Sequence, residues 1–292
     1  MPVVTKVIFP ERISLGGLYL ADLGFPHQRK WIGEALGEFS TPIPDNKVLG
    51  LQVSSHVSDS VFESAAESLK IMRSFDLSTS KFSDTLLKAI VQLEQTSELR
   101  LDFVPFEDSH VAKLAPLKNL TTLWFLHTAI TNKSIRQLAV LPNLHHLVLK
   151  NTDITDGGLV HFKELPVLTS LLLPSGITDN GLEELSNHKT LLHLDLSNSK
   201  VTNEGLKYLG TLANLQTLCL NDTVVGDAGV EHLKSLANLK TLYISGTTLS
   251  DKGLGTLEKM GLDYLEVRDT RVTEIGIARF HASLPDCIVA GP

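Results

Sequence analysis

Apolar residues along most of this chain follow two alternating rhythms. In segments such as LHHLVL from Leu144 and LQTLCL from Leu215 they close two apart, Leu147 with Leu149 and Leu218 with Leu220. That alternation suits a short strand with one side buried. A few residues on, the spacing becomes three, as at Leu206, Leu209 and Leu212, which suits one face of a helix. The pair of rhythms then returns at a fixed interval. The strand leucine stands at Leu99, Leu123, Leu147, Leu171, Leu194, Leu218, Leu242 and Leu265, in steps of 24, 24, 24, 23, 24, 24 and 23 residues. A period in this range marks stacked supersecondary units, none of which can bury its apolar side alone. The expected fold is α/β: a right-handed solenoid curved into a horseshoe, with a parallel sheet on the concave face and short helices on the convex face.

In register the units approximate LxxLxLxxTx(I/V)T(D/N)xGLxxLxxLxN, as in LLHLDLSNSKVTNEGLKYLGTLAN from Leu191. Fainter copies precede them. One runs over Thr96 to Asn119, another starts near Met72, and a distorted first unit is carried by Leu51, Val53, Val57, Phe62 and Ala65, about nine or ten units altogether. This pattern resembles the leucine-rich repeat family, in the bacterial form that carries T-x-I-T-D-x-G-L in each unit and builds a ribonuclease-inhibitor-like solenoid. The resemblance spans about residues 47 to 287. It implies that the chain works by holding another macromolecule along an extended surface.

Three polar series recur with the period. Thr128, Thr152, Ser199, Thr223, Thr247 and Thr270 fall where the chain leaves the strand, and their hydroxyls are expected to bond nearby backbone in a ladder along the stack. The pairs Thr155-Asp156, Thr178-Asp179, Thr202-Asn203 and Ser250-Asp251 precede the helical stretch and read as helix caps. Gly158, Gly181, Gly205, Gly229, Gly253 and Gly276 come just before the first helical leucine, where a small residue lets helix and sheet approach. Because each series repeats in every unit, all three read as structural.

Two domains are expected, a β-rich cap over residues 1–46 and the solenoid over residues 47–292. The segments VVTKVIF, GGLYLAD, GEALGEFSTPIP and KVLGLQV alternate like short strands, punctuated by Pro10, Gly16, Pro26, Pro42 and Pro44. Such a cap would shield the apolar end of the first unit, with Trp31 as its core anchor. Similar bacterial proteins carry an LGxLY…W…LGEARG-like segment before their repeats. At the other end Cys287, Ile288 and Val289 suggest a last edge strand, with no second domain after it.

Composition narrows the function classes. A formal charge of −7, from 26 basic and 33 acidic residues, gives no general attraction to nucleic acid. The N-terminus lacks a basic start followed by a long apolar run, so no secretory signal is read, and no stretch of apolar residues is long enough to cross a membrane. Cys219 and Cys287 lie about three units apart, too far to bridge at about 4.8 Å per strand. A cytoplasmic monomer is expected. The sequons at Asn119, Asn132 and Asn221 read as chance without a signal peptide.

Catalytic motifs are missing: no phosphate-binding loop, HExxH, GxSxG or paired CxxC occurs. His146 and His193 would share the sheet face two units apart, about 10 Å, too far for one zinc ion with bonds of about 2 Å. No cofactor or metal is expected. An enzymatic reading rests on His193, Asp195 and Cys219 alone, and the chain reads as no enzyme. The surface left for function is the set of strand positions flanking the buried leucines. Their middle column runs Arg100, Trp124, Val148, Leu172, Asp195, Cys219, Tyr243, Glu266. Trp124, Val148 and Leu172, rimmed by Thr122, His146 and Lys150, form the expected hot spot for a protein or peptide. Tyr243, Tyr264 and Arg268 form a weaker second patch. The competing reading is a substrate-recognition module of an effector or a ubiquitin-ligase-type adaptor.

Overall fold

The structure is a computed structural model that describes residues 4–22 and 25–291. It contains two compact units, Met1–Ile130 with Gln137–Leu147, and Thr131–Arg136 with Val148–Pro292. Of the expected cap, positions 1–3, 23 and 24 lie outside the described residues.

In the first unit the strands are β1 (Val4–Ile8), β2 (Gly16–Asp22), β3 (Phe25–Glu34), β4 (Glu38–Pro42), β5 (Lys47–Val53), β6 (Ser74–Asp76), β7 (Glu98–Arg100) and β8 (Thr122–Trp124). β1 pairs antiparallel with β4, and β2 lies antiparallel between β3 and β5. From β5 the order continues in parallel through β6, β7 and β8. β5 therefore faces both ways: its apolar alternation joins the antiparallel hairpin on one side and starts the repeats on the other. β3 was not legible in the sequence. It is rich in charge, contains Pro26 and forms an outer strand, a place where both features are tolerated. Trp31 on this strand is not the expected core anchor. It is 53% exposed, its ring set edge-on to Tyr19 with centroids 5.5 Å apart, whereas Tyr19 is fully buried. An outer strand leaves one flank of its large side chains in water, so the inner ring takes the core.

β9 (His146–Val148) contains the boundary between the units. The second unit continues with β10 (Ser170–Leu172), β11 (His193–Asp195), β12 (Thr217–Cys219), β13 (Thr241–Tyr243), β14 (Tyr264–Glu266) and β15 (Ile288–Ala290), all parallel and in chain order. Registers are uniform, so Leu171, Leu194, Leu218, Leu242, Leu265 and Val289 form one column. Every leucine of the 24-residue series, in both units, is at most 1% exposed. Short helices, such as those over Asp179–Leu185 and Asp251–Leu257, return the chain from one strand to the next and bury Leu182, Leu185, Leu254 and Leu257.

The polar series divide their roles differently from expectation. The threonines bond within their own repeat: Thr152 donates to Leu149 O at 2.7 Å, Thr223 to Leu220 O at 2.7 Å and Thr247 to Ile244 O at 2.8 Å. The acceptor each time is the carbonyl of the residue just past the strand, three positions before the hydroxyl in the turn. The ladder between repeats is built by the acid or amide at the helix start. Asp156 accepts from Thr178 N (2.9 Å) and Oγ1 (2.6 Å), Asp179 from Thr202 N (2.8 Å) and Oγ1 (2.6 Å), and Asp227 from Ser250 N (2.8 Å) and Oγ (2.6 Å). Asn203 and Asn132 make the equivalent bonds to Gly226 N and Thr155 N. The expected capping holds at Thr178, Thr202 and Ser250, which accept from Asn180 N, Glu204 N and Lys252 N, but not at Thr155, whose side chain caps no helix N–H.

This ladder also explains the recurring glycine. A Cβ at Gly181 would lie 2.4 Å from Asp156 Oδ1, and at Gly276 2.1 Å from Asp251 Oδ1. The missing side chain makes room for the previous repeat's carboxylate rather than for the sheet. A second recurring device is a left-handed residue after several of the strands, with φ of 55° at Asn151, 62° at Asn198, 57° at Asp222 and 66° at Gly246. These are the residue types that adopt this conformation most readily. Phe103 in the first unit is the exception, at φ 61° with its ring stacked on His127 at 4.8 Å.

Candidate functional site

A strand with its central leucine buried shows its two flanking side chains on the opposite face of the sheet. In the second unit this holds from β11 onward: His193, Asp195, Thr217, Cys219, Thr241, Tyr243, Tyr264 and Glu266 are all partly exposed. In the first unit it holds only in part. Glu98 and Asp102, expected on the open face, are 3% and 0% exposed, and Asp76 is 2% exposed. Asp76 and Glu98 are covered because Arg29 of β3 reaches over the Tyr19 ring, 4.3 Å from guanidinium to centroid, and pairs with both, while Asp102 accepts from Arg100 and from Leu126 N. Tyr19 OH and Ser74 Oγ share a hydrogen bond of 2.7 Å, and Ser74 in turn donates to Glu98. Burial raises the Glu98 carboxyl above its ordinary value, although Ser74 and Arg29 pull the other way. Asp102 is likewise raised by burial despite its pairing with Arg100.

Of the expected hot spot, Trp124 and Thr122 belong to the first unit, Val148, Lys150 and Leu172 to the second, and His146 to the first. Trp124 is partly exposed, with the Arg100 guanidinium 4.5 Å from its ring centroid, and its Nε1 is buried without a hydrogen-bond partner among the described residues. Thr122 and Val148 are not free surface: they are 4% and 5% exposed. Short β-branched side chains on a strand are shaded by longer neighbours, so the accessible area is carried by Trp124 in one unit and Leu172 in the other. His146 is partly exposed. Lys150 is engaged, reaching past β10 to Asp195 Oδ1 at 3.0 Å and Ser197 O at 2.9 Å.

The second patch is drawn together. Tyr243 and Tyr264 lie 5.4 Å apart between ring centroids, and Tyr264 OH donates to Glu266 at 3.3 Å. Arg268, on the same repeat as Tyr264, is exposed. Sequence reasoning missed Ile288, which pairs in register with Tyr264 and is 66% exposed. The signal was available, since the last strand repeats the flanking position once more. Between the two ends of this row, Leu172, His193, Asp195, Thr217, Cys219 and Tyr243 line a depression of about 260 Å³.

The groups there do not form a catalytic set. Burial and the Asp195 charge push the Cys219 thiol up, away from the reactive thiolate. Asp195 is held by Lys150 and by Ser197 N and Oγ, while the His193 ring has no hydrogen-bond partner among the described residues. Burial also lowers His193. Among the described residues no cluster of three His, Cys, Asp or Glu could hold a metal ion. Cys219 and Cys287 are unbridged. The three sequon asparagines are structural: Asn119 donates to Glu94 O, Asn132 accepts from Thr155 N, and Asn221 accepts from Ser245 N.

The family described as Leucine Rich repeat matches residues 140–162 and 187–210. Those segments are two copies of the strand-and-helix unit whose leucines form the buried column. The chain carries leucine-rich repeats. Its fold is that of internalin C2 from Listeria monocytogenes, at a TM-score of 0.55 and 21% identity over 80% of this chain and 92% of that one. An internalin (inlF) from the same organism matches at a TM-score of 0.45 and 18% identity, over 82% of this chain and 86% of that one. No curated protein matches. In this leucine-rich repeat chain no described helix is long and apolar enough to cross a membrane.

Proposed function

We propose that this leucine-rich repeat protein is a non-enzymatic scaffold that recognises a protein or peptide through the outward face of its strands. One observation carries the reading. The second unit keeps Leu172, Tyr243, Tyr264 and the largely exposed Ile288 on a sheet face that its own helices leave open. Packing does not require large apolar groups there, and aromatic anchors with a polar rim are what dominate binding energy at interfaces. In the first unit the comparable anchor is Trp124, its ring backed by Arg100. Rim contacts come from His146, Arg268 and the Lys150 to Asp195 pair. The unbridged cysteines fit a reducing, cytoplasmic setting.

Affinity capture from the source cell tests it, with the full chain and a Trp124→Ala, Leu172→Asp double variant compared at equal loading. The double variant should lose the native partner while its melting temperature stays close to that of the parent, because neither side chain belongs to the buried column. Equal recovery of the same partner by both proteins would show that these faces are not the binding surface.

A further inference from the structure

We infer that the depression on β10 to β13 takes one aromatic side chain of the partner that carries a hydrogen-bond donor at its tip, a tyrosine or a tryptophan. The inference rests on the reading that this sheet face binds protein, and it names the chemistry of the anchor. The depression is about 260 Å³, room for a single large side chain rather than for a folded segment. Leu172, Cys219 and the Tyr243 ring give it apolar walls.

Its charge state excludes other occupants. Lys150 and Ser197 bond the Asp195 carboxylate through its Oδ1, and the Lys150 ammonium already neutralises the one carboxylate present. The Cys219 thiol stays protonated and His193 stays neutral, both through burial. A lysine, arginine or carboxylate side chain entering here would shed its hydration shell without finding a free opposite charge. A purely aliphatic or phenyl side chain would fit the walls. It would, however, cover the His193 ring and the Thr217 hydroxyl, which have no hydrogen-bond partners among the described residues, and leave them dry. A neutral imidazole offers one acceptor nitrogen. A phenol hydroxyl or an indole N–H satisfies it while the ring fills the apolar space.

The test uses the full chain and three probes, N-acetyl-tryptophanamide, N-acetyl-phenylalaninamide and N-acetyl-argininamide, followed through the Leu172 methyl signals by NMR. The tryptophan amide should shift them saturably and bind about fivefold tighter than the phenylalanine amide, the worth of one hydrogen bond. The arginine amide should leave them unmoved. His193→Ala should reduce the tryptophan amide to the phenylalanine level, and His193→Gln, which keeps an acceptor, should retain the preference. Equal binding of the two aromatic amides, a tryptophan preference that survives His193→Ala, tighter binding of the arginine amide, or no saturable shift up to the solubility limit would each overturn the inference. The cellular capture experiment fails separately. Probes that behave as expected beside an empty capture would leave the pocket chemistry intact and remove the scaffold reading.

Discussion

The two units solve one problem, the polar groups left over when repeats stack, by opposite means. In the second unit neighbouring repeats are alike, and each offers the next the same acceptor: Asp156 to Thr178, Asp179 to Thr202, Asp227 to Ser250, Asp251 to Thr273. In the first unit the repeats diverge and the series thins, with Ser83 Oγ still donating to Asp59 Oδ1 at 2.8 Å. There a single cation, Arg29, is brought by an antiparallel hairpin to two buried carboxylates, Asp76 and Glu98. Repetition distributes the bonding over many small, exchangeable contacts, while the irregular end concentrates it in one cluster. The first arrangement should fail gradually and locally, the second all at once.

Breaking the cluster should have the largest effect. The side chains of Arg29, Asp76 and Glu98 are 9%, 3% and 4% exposed, so Arg29→Ala leaves buried negative charge unpaired and should cost about 3 to 5 kcal/mol. Both tryptophans of the chain, Trp31 and Trp124, lie in the first unit. Tryptophan fluorescence during urea unfolding therefore follows that unit, while far-ultraviolet circular dichroism follows both. Arg29→Ala should move the fluorescence midpoint far more than the late part of the dichroism curve. In the other direction, Leu194→Ala cuts a cavity into the buried column of the second unit and should cost about 2 to 5 kcal/mol. It should add an early phase to the dichroism curve and leave the fluorescence midpoint in place. One unaltered, coincident transition in both signals would mean that the stack does not uncouple.

How much of this was legible in the sequence follows the same division. The leucine column, the strand and helix alternation and the last strand at Ile288 come from periodicity, and periodicity survives because burial of the core acts on every repeat alike. The Asp ladder was half visible. Thr178 and Asp179 are adjacent in sequence and read naturally as one helix cap, yet Asp179 bonds Thr202 in the following repeat. A position that recurs every 24 residues or so sits beside its own copy in space, and that is the clue that points outward. The cluster was not legible. Asp76, Glu98 and Asp102 look like ordinary solvated strand positions, and nothing in the spacing places Arg29 over them, because the hairpin that carries it has no repeat to be compared with. Trp31 was misplaced for the same reason. At the candidate site Leu172, Tyr243 and Tyr264 fell where the alternation put them, whereas the burial of Val148 depends on neighbouring side-chain length, which alternation does not encode.

The ladder can be tested at the glycine that admits it. Gly181→Ala would bring a Cβ within 2.4 Å of Asp156 Oδ1 and 3.0 Å of a Leu159 methyl, forcing the carboxylate off Thr178. The expected loss is about 1 to 3 kcal/mol, typical of overpacking. Asp156→Ala removes the obstacle, so the two changes together should cost less than the sum of each alone, and a double-mutant cycle measures that difference. Full additivity would show that the glycine serves some contact other than the carboxylate.

The smallest effect, and the one that separates the units without cutting a contact, is the dependence on pH. Burial raises Glu98 above its ordinary 4.5 and Asp102 above 3.8, so both bind protons more readily folded than unfolded. Over the window from those ordinary values up to the raised ones, the native state carries the extra protons, and stability falls as pH rises. Asp251 in the second unit behaves in reverse: the Thr273 backbone N–H and hydroxyl hold it below 3.8, and its contribution is lost as pH falls through the lowered value. Lowering the pH through that window should therefore strengthen the first unit, seen by tryptophan fluorescence, before stronger acid weakens the ladder of the second. Glu98→Gln keeps the shape and the bond from Ser74 but removes the titration. Its fluorescence midpoint should vary less with pH over that window than the parent's, with the slope that remains assigned to Asp102. An identical slope in the variant would place the proton uptake elsewhere than at Glu98.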